Sequence, residues 1–278
     1  MAPTWYLGPV GQLQELTCPE TGVQRNPVRY GGVHRAITGA ATVDVTGIKY
    51  EYNLKWDHAA ESEIRALEVM AERHVPGPFW LLDPLKRNRL SVEATRLRWL
   101  SLSSPGVFPT GGLVKHVNDW PTAAGLGTQC LHWYSQPANN HQLVFDYAKW
   151  VPVIPGEQLV GSVYLKGSGA ATVRMTWLNA QGVETGTPQA TSVTATGAWV
   201  RYATSGTVPA GAALVRFEIA RGSGSTTDLY VAAPQLEVGT SASAWQPGGG
   251  APLVHIDQLE TSSPRYPLFN VGLTLLEA

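Results

Sequence analysis

The sequence predicts a mainly β protein of two parts: a split β-barrel or sandwich host domain with one α-helix, and a jelly-roll β-sandwich inserted into it. Three observations predict this. Short period-two apolar runs recur along the chain, and 29 Gly and 20 Pro lie dispersed between them as turn formers. A single helical apolar stripe occurs, near residue 64. After Pro247 and the Gly248-Gly249-Gly250 run, a fresh strand pair begins that ends in Phe269-Asn270-Val271-Gly272-Leu273-Thr274-Leu275-Leu276-Glu277. Two terminal strands cannot bury an apolar side alone, so they are expected back on the N-terminal stretch. The host is therefore drawn as residues 1–105 and 248–278, and the insert as 106–247.

In chain order, Val33-His34-Arg35-Ala36-Ile37 reads as a first short strand of the 5–53 region. Val43-Asp44-Val45 and Ile48-Lys49-Tyr50-Glu51-Tyr52 follow with period two, and Thr46-Gly47 between them reads as a hairpin break. The helix comes next. Asp57 is a suitable N-cap, Glu61 and Glu63 complement the positive helix start, and Arg73 and His74 lie near its end. Ile64, Leu67 and Met70 recur every third residue, with Ala60 one turn earlier, and Pro76-Gly77-Pro78 stops the helix. Phe79-Trp80-Leu81-Leu82 is then a short buried strand cut by Asp83-Pro84.

In the insert, Val160 to Lys166 is a strand. Val173, Met175 and Trp177 share one face of the next, and Asn179-Ala180-Gln181-Gly182 is a turn. Trp199-Val200-Arg201-Tyr202, Leu214 to Ile219 and Leu229-Tyr230-Val231 complete a set spaced as in a sandwich or jelly roll.

Composition narrows the function classes. Charged residues make up 15% of the chain and the net charge is −1, which favours neither nucleic acid nor an anionic membrane. No apolar run approaches the roughly 20 residues of a spanning helix, and Met1-Ala2-Pro3-Thr4-Trp5 has no secretory pattern. Cys18 and Cys130, one in each part, are expected as packed or free thiols. Low charge on a chain made inside a cell, with the surface of an extracellular β protein, suits a viral structural protein.

The run Val153-Ile154-Pro155-Gly156-Glu157, then Ser162-Val163-Tyr164-Leu165-Lys166, resembles the carbohydrate-binding-module-like jelly rolls of phage tail proteins. So do Trp177, Asn179-Ala180-Gln181-Gly182, Trp199, Val208-Pro209-Ala210-Gly211 and Pro234-Gln235-Leu236-Glu237-Val238-Gly239. In such modules a calcium often sits where an Asp lies near the final strand; here that strand reads Tyr230-Val231-Ala232-Ala233, with Asp228 just before it. Residues 1–99, through their early strands, single helix and Pro78-Phe79-Trp80-Leu81-Leu82-Asp83-Pro84, resemble the N-terminal domain of distal tail and related minor tail proteins of long-tailed (siphovirus-like) bacteriophages.

The resemblance implies a structural component of the tail tip or baseplate in the virion, made in the host cytoplasm. It implies a homo-oligomeric ring, a hexamer, between the tail tube, tape-measure and tip or hub proteins. The outward sandwich would meet a host cell-surface glycan. A carbohydrate-binding adhesion protein acting on its own is the alternative.

No catalytic, cofactor or metal residue is assigned. The chain lacks His-Glu-x-x-His, Cys-x-x-Cys and Gly-x-Ser-x-Gly, and Gly156 with Gly161-Ser162 lacks the lysine of a phosphate loop. His132 and His141, flanking Asn139 and Asn140, match no metal or nucleophile motif, so the chain is expected not to be an enzyme. Aromatic rings carry more information, because sugar faces pack on exposed Trp and Tyr. Trp177 and Trp199 lie in the pattern of a sandwich core, Trp150 at a sheet edge, and Trp133-Tyr134 fits either core or binding face. Trp120, in the loop Asn118-Asp119-Trp120-Pro121, is harder to bury. The glycan-site candidates are Trp120, Tyr134, Gln136 and Asn139.

Overall fold

The computed structural model describes residues 4–19, 22–44, 46–98, 106–134, 141–147, 149–221 and 228–278. The described elements run β1 (Trp5–Gly8), β2 (Gln14–Leu16), β3 (Val23–Tyr30), β4 (Val33–Arg35), β5 (Ala41–Val43), β6 (Gly47–Ala60), α1 (Glu61–Ala71), β7 (Phe79–Leu82), α2 (Val92–Thr95), β8 (Val107–Pro109) and β9 (Leu113–Val117). They continue with β10 (Cys130–Tyr134), β11 (Gln142–Phe145), β12 (Val151–Pro152), β13 (Gln158–Gly167), β14 (Gly169–Leu178), β15 (Gln189–Ala195), β16 (Val200–Thr207), β17 (Leu214–Arg221), β18 (Leu229–Val238), β19 (Leu253–Arg265) and β20 (Leu268–Glu277). The protein is mainly β, with antiparallel pairing throughout these strands.

The chain divides into two compact units, Met1–Leu81 with Pro252–Ala278, and Leu82–Ala251. In the first, a seven-stranded sheet has the order β2-β1-β7-β19-β20-β6-β3. The terminal strands lie at its centre: β20 pairs with β6 through Leu273↔Leu54 and Leu275↔Tyr52, and β19 pairs with β7 through Val254↔Phe79. Alternation along β6 turns Tyr52, Leu54 and Trp56 into the core, where Ile64, Leu67 and Met70 of α1 meet Val254, Val271, Leu273 and Leu275.

Two local expectations differ from the structure. The β5 strand pairs with β4, and β6 pairs with β3, so Thr46-Gly47 does not join a hairpin. The eight-residue register between β3 and β6, Val23↔Leu54 to Tyr30↔Gly47, outweighs the short local alternative. Val45, at the end of the expected strand, lies outside the described residues. Asp57 is not a helix cap but a strand residue, because pairing with β20 carries β6 on to Ala60. Glu63 accepts the Ala60 N–H at 3.2 Å and the Thr17 N–H at 2.8 Å, tying the helix start to the chain after β2.

The second unit is a sandwich. A five-stranded sheet, β16-β13-β18-β10-β9, faces a six-stranded one, β15-β14-β17-β11-β8 with β12 beside β17. The sheets approach closely at Gly161, where a Cβ would come within 2.5 Å of the Phe217 ring, so only glycine fits. Val173, Met175 and Trp177 of β14 are buried between the sheets.

Residues 82–98, placed in the host by the sequence reading, pack with this unit through buried polar side chains. The Asn88 amide donates to the carbonyls of Pro234 (3.1 Å) and Gln246 (2.8 Å), and its oxygen accepts from Leu236 N–H (3.1 Å). Arg89 makes a bidentate pair with Glu157 at 2.6 and 2.9 Å. Buried groups satisfied in this way hold a segment in one place; nothing in the local pattern of 82–98 announces its distant partners.

Asp146 has the same anchoring role, accepting from Ser91 N–H at 2.8 Å and from the Ser91 hydroxyl. Burial pushes its carboxyl up from 3.8 to about 6, against those hydrogen bonds. A folded-state value above the unfolded one favours folding most below pH 3.8, and the contribution is lost as pH rises through about 6. Urea midpoints between pH 4 and 7 are therefore expected to fall more in the native protein than in Asp146→Asn, and equal slopes would contradict this.

Candidate functional site

The site is built on the outer face of the five-stranded sheet. Because Gly161 points inward, β13 turns Ser162, Tyr164 and Lys166 outward. Register carries that face across the sheet. Lys166 lies opposite Tyr230 of β18, Tyr230 opposite His132 of β10, and His132 opposite Lys115 of β9. Arg201 of β16 lies opposite Tyr164, and Trp199 stands just before β16 on the same side. Tyr134 is two residues beyond His132 and shares its face.

Hydrogen bonds fix these rings. Asp119, in the loop after β9, accepts from Lys166 Nζ at 2.7 Å and from Trp199 Nε1 at 3.1 Å. Its bond to Lys166, then that to Trp199, holds the Asp119 carboxyl below its ordinary value, and the same bond raises Lys166. Lys166 Nζ lies 5.9 Å from the Trp199 ring centre and 5.6 Å from that of Tyr230. Tyr230 stacks parallel on His132 at 4.3 Å, and His132 is 5.0 Å from Tyr134. Lys115 Nζ is 5.2 Å from the Tyr134 ring. His132 Nε2 sits 3.4 Å from Asp228 Oδ2, within ion-pair reach but without hydrogen-bond geometry. Arg201 donates to Ser162 Oγ at 2.8 Å with its guanidinium 5.7 Å from the Tyr164 ring.

Of the residues expected from sequence, Tyr134 is on this face and half-buried. Trp120 borders it but is no free platform. Its ring lies against Gly127, where a Cβ would come within 2.1 Å, and it meets Trp245 edge-on at 5.3 Å. Its Nε1 donates to Gly125 O at 3.1 Å. Gln136 and Asn139 lie outside the described residues. Trp133 is fully buried and belongs to the core, as does Trp177.

Trp199, placed in the core by the sequence reading, is half-buried on the outer face. Period two puts Trp199 on the side of Arg201, but which side faces out is set by the pairing of β16 with β13. Tyr230, His132 and Lys166 show no such signal, since their company arises from pairing of strands distant in sequence. Trp245 and Asp119, in loops, could not be placed without the fold.

The face offers aromatic rings beside fixed cationic donors and carboxylate acceptors, the chemistry that packs a sugar ring and bonds its hydroxyls. The thiol of Cys130 beneath it is pushed up to about 11, chiefly by burial, and is inert. Cys18 is also a free thiol. Among the described residues no group of three His, Cys, Asp or Glu is placed to hold a metal, and no helix is long and apolar enough to cross a membrane.

No family model matches the chain, and no curated protein matches it. Among solved structures, similar ones include the enzymatically active domain of bacteriophage CBA120 tailspike protein 4, at 15% identity and TM-score 0.45, covering 54% of this chain and 21% of that one. TmCBM61 in complex with β-1,4-galactotriose is 15% identical with TM-score 0.40, covering 55% and 99%. The CBM22-1 xylan-binding domain of Paenibacillus barcinonensis Xyn10C is 12% identical with TM-score 0.39, covering 56% and 99%. The chain thus spans about a fifth of the length of the tailspike domain.

Proposed function

We propose that the outer face of the five-stranded sheet binds a glycan, and that the chain serves as a structural and adhesive component of a phage tail tip, placed in the virion. The observation that carries the binding half is the Asp119 carboxylate holding Trp199 and Lys166 at once. A ring fixed before the ligand arrives loses little entropy on binding. We read the role as binding rather than cleavage, because the Asp119 carboxylate is committed to holding Lys166 and Trp199.

The test is a glycan array probed with the full chain, followed by calorimetry on the hits. Trp199→Ala and Tyr230→Ala are expected to weaken binding roughly tenfold or more with the thermal midpoint nearly unchanged. Single sites are expected to be weak, and copies on one assembly raise avidity by about 10²–10⁴ when geometry permits. An array silent even for a multivalent form of the protein would overturn the reading.

The assembly half is favoured by the segment from β3 to β6. Tyr30 is 53% exposed, Val33 48% and Val43 49%, and Ile37 is fully exposed, an apolar content suited to contact with another copy. A heterologous contact repeated about an axis closes into a ring, and six copies are expected. Mass photometry should show one discrete multimer, and Ile37→Asp with Tyr30→Asp should release monomers. A strict monomer in solution and in assembled particles would leave the free-standing carbohydrate-binding adhesion protein.

A further inference from the structure

The opposite face of the sandwich, outside the six-stranded sheet, carries a second constellation. On β14 the inward positions are Val173, Met175 and Trp177, so Arg174 and Thr176 point outward; opposite them on β17 stand Glu218 and Arg216. Glu218 is on the outward side yet has no exposed surface. Its carboxylate accepts from Arg174 Nε, from Arg216 Nε at 3.0 Å and from Thr176 Oγ1 at 3.3 Å. With its amide turned to suit both neighbours, Gln142 donates to the same carboxylate at 3.2 Å and accepts from Arg174 Nη2 at 2.6 Å. Arg216 Nη2 donates to the exposed Glu184 at 2.7 Å.

One sunken carboxylate therefore fixes two guanidinium groups side by side. The Nη1 of each has no partner among the described residues; with the exposed Glu184 counted beside Glu218, the two cations meet two carboxylates, so an arriving anion is met by these free Nη1 donors rather than by a net charge. Beside them runs a row of half-buried aromatics. Phe108 is 4.4 Å from Tyr147, Tyr147 is 5.5 Å from Trp150, and the Arg216 guanidinium is 5.8 Å from the Trp150 ring.

We propose that this face is a second ligand site, taking an acidic sugar: its anionic group on the Arg174–Arg216 pair and its ring against Trp150. Guanidinium donors held in a fixed plane match the oxygens of carboxylate and phosphate. Burying a carboxylate gives little net stability compared with apolar packing, whereas here it sets the spacing of two donors before a ligand arrives. The carboxylate of a uronic acid and the phosphate of a sugar phosphate share this chemistry. The site does not depend on the opposite face.

The test titrates the full chain, at low and high salt, with tri-galacturonate, galactose 6-phosphate and a neutral galactose trisaccharide. At least one anionic probe is expected to bind, more weakly at high salt, with the better of the two identifying the source of the charge. Arg216→Gln and Trp150→Ala should each weaken it about tenfold or more, Trp199→Ala on the other face should not, and the neutral trisaccharide should not compete. Trp150→Ala removes no partner of Glu218 and reads the site even where Arg216→Gln unfolds. Binding of neither anion, binding that survives Trp150→Ala at full strength, or competition by the neutral sugar would each overturn the proposal.

Discussion

Replacing Trp177 by alanine is expected to lower the stability of the Leu82–Ala251 unit by about 3–5 kcal/mol, the range for truncating a large buried aromatic side chain. Trp177 is 1% exposed and pairs with Val215 near the end of the β14–β17 ladder. Its cavity has little freedom to collapse, because β14 lies between β15 and β17, and β17 is itself held by β11. Urea unfolding followed by far-UV circular dichroism measures the change. Tyr134→Ala, on the outer face, should cost far less, and similar losses for the two would mean that the inside and outside of the sandwich have been confused.

A larger effect is expected on ending the chain at Ala251. That removes β19 and β20, which lie between β7 and β6 in the seven-stranded sheet, and takes Val254, Val271, Leu273 and Leu275 out of the core. At roughly 1.5–3 kcal/mol for each buried aliphatic side chain, the loss is about 6–12 kcal/mol, comparable with the whole stability of a domain. Residues 1–81 should then be unfolded, as read by rapid proteolysis and by collapsed amide dispersion in NMR. Joining Leu81 directly to Pro252 should restore a folded host, since Leu81 N–H already bonds to Pro252 O at 3.0 Å. A truncated chain whose first 81 residues still melt cooperatively would contradict the split architecture.

How much of this was legible in the sequence depends on the range of the interactions. The stripe Ile64, Leu67, Met70 identified α1, and the alternation of Val173, Met175 and Trp177 identified an inward strand face, because both patterns are written in consecutive residues. The end of β6 was not legible: Asp57 followed by glutamates reads as a helix start, and only the distant β20 keeps those residues extended. The anchoring of 82–98 by Asn88 and Arg89 is equally non-local. The same holds for the site. An aromatic in a loop, Trp120, looked exposed, but Trp245 and Gly127 pack against it. Trp199 looked like core because aromatic strand residues usually are. Its true place follows from the register of β16 on β13 and from the Asp119 carboxylate, which lies 80 positions away in the sequence.

The claim that this outer face binds a sugar is tested most directly through the indole N–H signals of the ten tryptophans, followed by NMR while a glycan identified on the array is added. The signal of Trp199 should move and saturate, because its Nε1 is bonded to Asp119 at the centre of the face. Those of Trp5 and Trp177, buried in the two cores, should stay still. Saturable binding that leaves the Trp199 signal unmoved would contradict the account.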